Sequence, residues 1–507
     1  MFSTRIHGAG GVSGPTGLAL ISEPGTRLVA VMPWRDTFLQ LLPSWLRWPS
    51  RTFGRHVLIG ILLGFSLSAT ITSLAAYFQQ RKRERQVANF APRPIELRSD
   101  EIVKGVVGLI GNTPLVRINS LSDALGVEIL GKAEFLNIGG SVKDRVALQI
   151  IDDAERQGLI HPYTGSRIFE GTVGSTGISI ATIARARGYD TTIIMPDDVA
   201  EEKVKALRAL GADVERVRPA SIVDKKQYVN LARDRASKFG RLDRIDASSP
   251  DAKLMHPFTF HSPSNSVLVT EVPHHIKVES EEWMESNIDP TQPRGFFADQ
   301  FENSSNFKAH YNGTGPEIWR QTNGHVDAFV SGAGTGGTVA GTGQYLKSMN
   351  EDVVVALADP EGSGLYNKVK YGVMYDRKES EGTKRRHQVD TVVEGIGINR
   401  LTRNIELALP ILADAFRITD AEAVSMARYL VRHDGLFIGS SSACNLVACV
   451  KLIKQKGWTE GKTVVTILCD SGTRHYSKFW NDEYLQNARI PVDPRIVESL
   501  LQSSPAP

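Results

Sequence analysis

Cysteine is scarce in this chain. Its 507 residues hold three, Cys444, Cys449 and Cys469, all in the C-terminal part and without metal-ligand or disulfide spacing. They therefore read as core thiols of a reducing compartment, and a disulfide framework is excluded. A surplus of one charge is also lacking. Lys and Arg number 59 against 56 Asp and Glu, a formal net charge of +3, and the basic residues are dispersed, so no nucleic-acid surface is expected. With 41% hydrophobic residues, the length suffices for one large or two medium globular domains.

Long apolar runs are missing too, with one exception. Val57 to Phe78, VLIGILLGFSLSATITSLAAYF, is uncharged and long enough to cross a bilayer core. Arg51 and Arg55 precede it and Arg81-Lys82-Arg83-Glu84-Arg85 follow it. The pattern predicts a transmembrane helix over 57–78, the plainer alternative being a buried helix. Residues 1–56 carry Arg5, Arg27, Arg35, Arg47, Arg51 and Arg55 against only Glu23 and Asp36. Such a basic, acid-poor leader resembles a mitochondrial address. The heavier basic cluster after the span places the C-terminal part on the cytosolic side. A single-pass anchor in the mitochondrial outer membrane satisfies both signals. Residues 79–102, with Pro92 and Pro94, read as a basic linker.

From about residue 103 to 490, short apolar strands alternate with helical segments. That alternation predicts an α/β domain with largely parallel sheets, followed by a tail over 491–507. In one unit an apolar strand near Val127 to Leu130 runs through the turn Gly139-Gly140. Ser141 is then expected to cap a helix, with Asp144 completing a short capping box. Lys143 falls in the first helical turn, where the positive end of the helix dipole disfavours a cation. A lysine held neutral in this way is a nucleophile toward carbonyl groups. A solvated surface lysine beside Asp144 is the plainer alternative.

Two further strand-to-helix turns are rich in small and hydroxyl residues. Glu170-Gly171-Thr172-Val173-Gly174-Ser175-Thr176-Gly177 precedes a helical pattern closed by Gly188, and helix amides there suit a carboxylate. Ser331-Gly332-Ala333-Gly334-Thr335-Gly336-Gly337-Thr338 follows the strand Val326 to Val330 and offers glycine amides and hydroxyls to a phosphate. It also spells G-x-G-x-x-G, with Asp359 ending the next strand, so spacing alone leaves a dinucleotide site open. Residues 246–292 break the alternation and read as an insertion. Their His256, His261, His274 and His275 lack cysteine or carboxylate partners, and no metal site is expected.

The stretch Lys132 to Arg145 resembles the segment carrying the cofactor lysine of the fold-type II pyridoxal-phosphate enzymes, specifically the cysteine synthase and cystathionine β-synthase family. The similarity continues in family order through Leu109 to Val116, Glu170 to Gly177, Asp299 to Asn306 and His310 to Ile318 (HYNGTGPEI). It goes on through Ser331 to Thr338, Glu394 to Gly397, Gly439 to Asn445 and Asp470 to Ser477. The resemblance implies a tryptophan synthase β-like fold, with two α/β sub-domains and the cofactor in the cleft between them. It also implies a mobile sub-domain near 189–238 and a homodimer.

Residue by residue, it makes Lys143 the lysine that holds pyridoxal phosphate covalently and then serves as base and acid. Gly334, Thr335, Gly336, Gly337 and Thr338 become the phosphate cup, and Ser441 the partner of the pyridine nitrogen. Thr172, Thr176 and Gln300 match positions that bind the substrate carboxylate. The expected reaction is β-replacement, making L-cysteine from O-acetyl-L-serine or a related O-acylated serine and sulfide. Cystathionine formation, serine deamination and a low-activity relative are the alternatives. Two departures stand out: Ser175 replaces an asparagine that contacts the cofactor, and Val173 replaces a hydroxyl of the substrate loop. Ala443, where a glycine is usual, is a milder change.

Overall fold

The structure is a computed structural model that describes residues 63–74, 77–78, 81, 102–240, 292–376 and 391–503. The chain divides into two units, Met1–Glu84 and Arg85–Pro507. In the first, residues 63–74 are helical and their apolar side chains are exposed, Phe65 at 78% and Ile71 at 61%. Among the described residues no helix is long and apolar enough to cross a membrane. The expected leader over 1–56, residues 57–62 and 75–76 of the expected span, nearly all of the 79–102 linker and all of the 246–292 insertion except Gln292 lie outside the described residues.

The second unit opens with β1 (Leu115–Arg117) and β2 (Glu128–Ala133), followed by α1 (Lys143–Arg156). Next come β3 (Arg167–Gly171), α2 (Ser175–Ala186), β4 (Asp190–Pro196) and α3 (Glu201–Ala209). After β5 (Asp213–Val217) and α4 (Tyr228–Lys238), the chain returns as β6 (Gly295–Phe297). The remainder supplies β7 (Ala328–Gly332), α5 (Gly337–Met349), β8 (Val354–Pro360) and β9 (Leu412–Ile418). It ends with α6 (Asp420–Asp434), α7 (Ser440–Lys456), β10 (Thr463–Leu468) and α8 (Arg495–Gln502).

The strands form a six-stranded sheet, ordered β1-β2-β10-β7-β8-β9, and a four-stranded sheet, ordered β5-β4-β3-β6. Every pairing is parallel except β1 with β2. Parallel sheets are covered on both faces, so their strands read as continuous apolar runs. β10, TVVTIL, is buried from Val464 to Leu468, and Thr466 escapes an unsatisfied hydroxyl by donating to Val330 O at 2.7 Å. Helix α7 is buried from Ser440 to Cys449, and its Asn445 is satisfied by donating to Ile467 O at 2.9 Å. Truncating Leu446 there, fully buried, is expected to cost about 2–5 kcal/mol.

Three local expectations are corrected. Val142, not Ser141, precedes α1, and no side chain caps it. Ser141 Oγ accepts the Lys143 amide at 3.3 Å, while Asp144 turns back to accept the Gly139 amide at 2.5 Å. The tight Gly139-Gly140 turn thus takes the carboxylate that a capping box would use, and Lys143 still opens the helix. A full capping box sits instead on α6, between Thr419 and Glu422. The expected tail holds α8, whose Val497 is buried and whose Val497 amide donates to Ser425 Oγ at 3.2 Å. Its apolar face is too short to stand out in the sequence.

Candidate active site

In open parallel sheets, ligands bind outside the carboxyl ends of the strands. The segments leaving β2, β3, β7 and β10 converge there on one cleft, and α1, α2, α5 and α7 begin beside it. Each helix start presents amides without intrahelical partners and a positive dipole end. The cleft is therefore built to hold an anion.

Lys143 is the first residue of α1 and lines the cleft. Its Nζ has no hydrogen-bond partner among the described residues. Burial lowers its pKa from the ordinary lysine value, against the opposing pull of Cys469 and Asp470. A network beneath it fixes the turn from which α1 starts. Arg145 Nε meets Glu134 Oε2 at 2.7 Å and its Nη1 meets Glu317 Oε1 at 2.7 Å. Lys132 Nζ reaches Glu317 Oε2 at 2.7 Å, and Thr113 donates to Glu134 Oε1 at 2.7 Å. The surface-lysine alternative fails because Lys143 is half-buried on the cleft wall.

The turn before α5 supplies the cup. Gly334 lies so close to Gly395 that an added Cβ would sit 2.5 Å from its carbonyl oxygen, and Gly336 has φ +91. Thr335 Oγ1 accepts from Asn306 Nδ2 at 2.9 Å, and Thr338 Oγ1 lies 3.2 Å from His310 Nε2. Gly334, Thr335, Gly336 and Thr338 line the cleft. Gly337 is not part of its wall; it packs on Asn306, where a Cβ would lie 1.9 Å from Oδ1. The dinucleotide alternative fails at Asp359, which is buried away from the cleft and accepts the Tyr366 amide at 2.7 Å.

Thr172, Val173, Ser175, Thr176 and Gln300 form another wall. Thr176 donates to Gln300 Oε1 at 2.6 Å, and Thr172 Oγ1 accepts the Gly174 amide at 3.3 Å. Arg474 Nη1 stands 3.5 Å from Ser175 Oγ. On the far side, Ser441 opens toward the cleft from the first turn of α7. It lies beside Cys469, whose thiol burial pushes up to about 11 despite a hydrogen bond with Ser441. Cys444 and Cys449 are core thiols as expected, but Cys469 lines the cleft.

Other lining groups carried no sequence-based assignment: Lys203, Tyr228, Glu394, Arg400 and His475. Glu394 and His475 fall inside motifs quoted above for their order alone. Lys203 offered no signal, because its partner Glu394 is distant in sequence.

Residues 106–470 match the pyridoxal-phosphate dependent enzyme family. Cysteine synthase 2 of Schizosaccharomyces pombe is 50% identical over 401 residues, covering 79% of this chain and 89% of the relative. A Saccharomyces cerevisiae relative whose name includes the words mitochondrial cysteine synthase is 45% identical over 392 residues, 77% of this chain and 85% of its own. Among solved structures, that of O-ureido-L-serine synthase superposes with a TM-score of 0.56 at 25% identity, covering 75% of this chain and 96% of that one. The chain belongs to the pyridoxal-phosphate dependent enzymes, in their cysteine synthase branch, and pyridoxal phosphate is its cofactor. The residues present fit that group. A glycine-lined cradle at a helix start, which any Cβ at Gly334 would fill, suits its phosphate, and an unpaired, half-buried amine at Lys143 on the cleft wall suits its carbonyl.

Proposed function

We propose that this chain forms L-cysteine from O-acetyl-L-serine, or a related O-acylated serine, and sulfide, with release of acetate. The observation that carries the proposal is the position of Lys143, an unpaired amine on the wall that also bears the α5 cup, the Thr172–Thr176–Gln300 cluster and Ser441. The names of the yeast relatives agree with this activity.

Lys143 would hold the cofactor through Nζ, the cup residues Gly334, Thr335, Gly336 and Thr338 its phosphate, and Ser441 its ring nitrogen. When bound, pyridoxal phosphate supplies an electron sink for charge developing at the substrate Cα. A hydroxyl at Ser441, unlike a carboxylate, leaves the ring nitrogen largely unprotonated, which favours loss of a β-substituent over transamination. Lys143 Nζ would take the Cα proton and later return it. Burial, which lowers its pKa from the ordinary lysine value, favours the neutral amine that a base needs. Gln300 and the first amides of α2 hold the substrate carboxylate, while Val173 leaves the loop without one hydroxyl. Closure of the sub-domain near 189–238 excludes water from the reacting atoms.

We infer further that the first unit anchors the chain in a membrane, with a mitochondrial leader before the span and the enzyme facing the cytosol. The exposed apolar helix over 63–74 supports this, since such a surface is usually covered by lipid or a partner. The relative named as mitochondrial agrees with the leader. A homodimer is proposed on family resemblance alone.

The test is a spectral titration of the full-length protein in detergent, beside Lys143→Ala. A visible cofactor band that shifts with O-acetylserine, returns on adding sulfide with release of cysteine, and is missing from the variant supports the reaction. A band that ignores O-acetylserine and responds to serine with homocysteine would replace it with cystathionine formation.

A further inference from the structure

Just beyond β10 the chain carries a buried acid and an imidazole that the proposed chemistry leaves unused. Asp470 is 6% exposed and His475 4%, yet both line the cleft. His475 Nε2 lies 3.0 Å from Asp470 Oδ2. The pair is bound to the machinery on both sides. Asp470 bridges to Ser141, two residues before Lys143, and its carbonyl accepts the Gly439 amide at 3.0 Å, at the head of the helix bearing Ser441. Gly439 provides the space: a Cβ there would lie 2.0 Å from Asp470 Oδ1 and 2.7 Å from His475 Nε2.

The tautomer follows from the chemistry. Burial alone would raise Asp470, but the hydrogen bond from His475 and the charge of Arg474 hold its carboxyl below the usual range. It is an acceptor, so Nε2 carries the ring proton and donates it. In the neutral ring Nδ1 then keeps its lone pair, and Glu394 Oε2 lies 4.0 Å from it. That gap is too long for a hydrogen bond and falls within the cleft wall. Proton uptake at Nδ1 would give an imidazolium between two carboxylates, Asp470 and Glu394. Lys203, Lys478 and Arg474 face the same group and keep those carboxylates ionised.

We propose that the Asp470–His475 dyad is the general base for the sulfur nucleophile. The assignment rests on the β-replacement reading above. The thiolate form is the attacking species of sulfur nucleophiles, and hydrogen sulfide reaching a closed cleft carries one proton too many. His475 Nδ1 removes that proton as the sulfur lone pair forms the C–S bond at the substrate β-carbon. Lys143 returns the proton it took from Cα, and the S–H left on sulfur becomes the cysteine thiol. The proton on His475 passes to bulk water at the Glu394 rim when the cleft opens. Acetate has already left as the anion, so O-acetylserine and hydrogen sulfide give cysteine, acetate and one proton. No oxidant or further reactant is needed.

The test separates the two halves of the reaction in the full-length holoenzyme. Loading with O-acetylserine is followed by stopped flow, then the reaction with sulfide, across a range of pH. In His475→Gln, loading is expected to stay near the wild-type rate. The sulfide step should fall by about 100-fold at mildly acidic pH and recover at alkaline pH, where the dissolved anion replaces the base. Asp470→Asn, which keeps the shape but not the charge, should show the same pH-dependent loss in smaller measure. Independently, imidazole nitrogen NMR should show the His475 signal as the Nε2–H form with a bare Nδ1. A wild-type pH profile in His475→Gln, a parallel loss in both halves, or an Nδ1–H tautomer would overturn the assignment. A wild-type enzyme that O-acetylserine does not load would instead sink the β-replacement reading, and the base with it.

Discussion

Thr176 gives its hydroxyl proton to Gln300 Oε1 at 2.6 Å, joining the first turn of α2 to the segment after β6. Both side chains are buried on the cleft wall. The bond fixes which end of the Gln300 amide is free. Its oxygen is taken, and Nε2, which reaches Gly171 O only at 3.4 Å, is the end that the proposed reaction assigns to the substrate carboxylate. Gln300→Glu would replace that donor with a like charge. KM for the amino-acid substrate is expected to rise about 10–150-fold, the worth of a hydrogen bond to a charged group. The cofactor band should survive. Steady-state kinetics with the visible spectrum as control checks this, and an unchanged KM would move the carboxylate site elsewhere.

Arg145 binds two carboxylates at once, Glu134 and Glu317. Burial opposes both charges, yet Arg145 and Lys132 hold both acids below the usual carboxylate range. Arg145→Met leaves Glu134 buried without its main cation and is expected to cost about 3–5 kcal/mol, read from urea unfolding. The sign of the pH dependence follows. A carboxyl with a depressed folded pKa stabilises the fold fully above its unfolded value and loses that contribution as pH falls toward the folded one. Wild type should therefore weaken steadily below about pH 4.5, and Arg145→Met should show a shallower acid slope. Equal slopes would show that the network contributes little to stability.

The cup makes a steric prediction. Gly334→Ala places a methyl 2.5 Å from the Gly395 backbone oxygen, and Gly337→Ala places one 1.9 Å from Asn306 Oδ1. Asn306 holds Thr335, so either change must displace a wall of the cup. Overpacking of this kind costs about 1–3 kcal/mol, and the cofactor dissociation constant is expected to rise about 5–150-fold accordingly. Fluorescence titration of the apoprotein with pyridoxal phosphate measures it. Unaltered affinity in both variants would remove the phosphate from this turn.

How far the sequence reached depends on the range of the contact concerned. The turns after β3 and β7 were legible because a parallel strand must feed a helix through small residues, and Gly174 and Gly336 carry that signature with positive φ. Lys143 was placed in the first turn of its helix by the Gly139-Gly140 break, although the cap assigned to Ser141 proved to be a backbone turn closed by Asp144. Ser175 and Val173 stood out as departures from a pattern, but the approach of Arg474 to Ser175 did not, since 299 positions separate them. The dyad of Asp470 and His475 is local in sequence, and its meaning still needed the fold: only Gly439, from another element, leaves room for it.

Lys203 on α3 and Glu394 form an ion pair across the cleft, joining the four-stranded sub-domain to the segment 391–398 of the larger one. Lys478 Nζ approaches the same carboxylate at 3.3 Å, and Glu202 Oε1 accepts from Ser477 Oγ at 2.9 Å. These contacts join α3 to the far wall. Burial would raise Glu394, but Lys203 above all brings it down to about 2 from 4.5. Closure by this pair is therefore complete above about pH 4.5 and lost as pH falls toward 2. Lys203→Met should release α3 while leaving the core intact. Hydrogen exchange of the Glu201–Ala209 amides is expected to quicken about tenfold, with those of α7 unchanged, because local opening draws on few contacts. KM should rise and water-driven loss of the bound substrate should increase, since a looser cleft admits solvent. If exchange quickens throughout the unit, Lys203 supports the fold at large; if it changes nowhere, the sub-domain is held by its other contacts and closure does not depend on this pair.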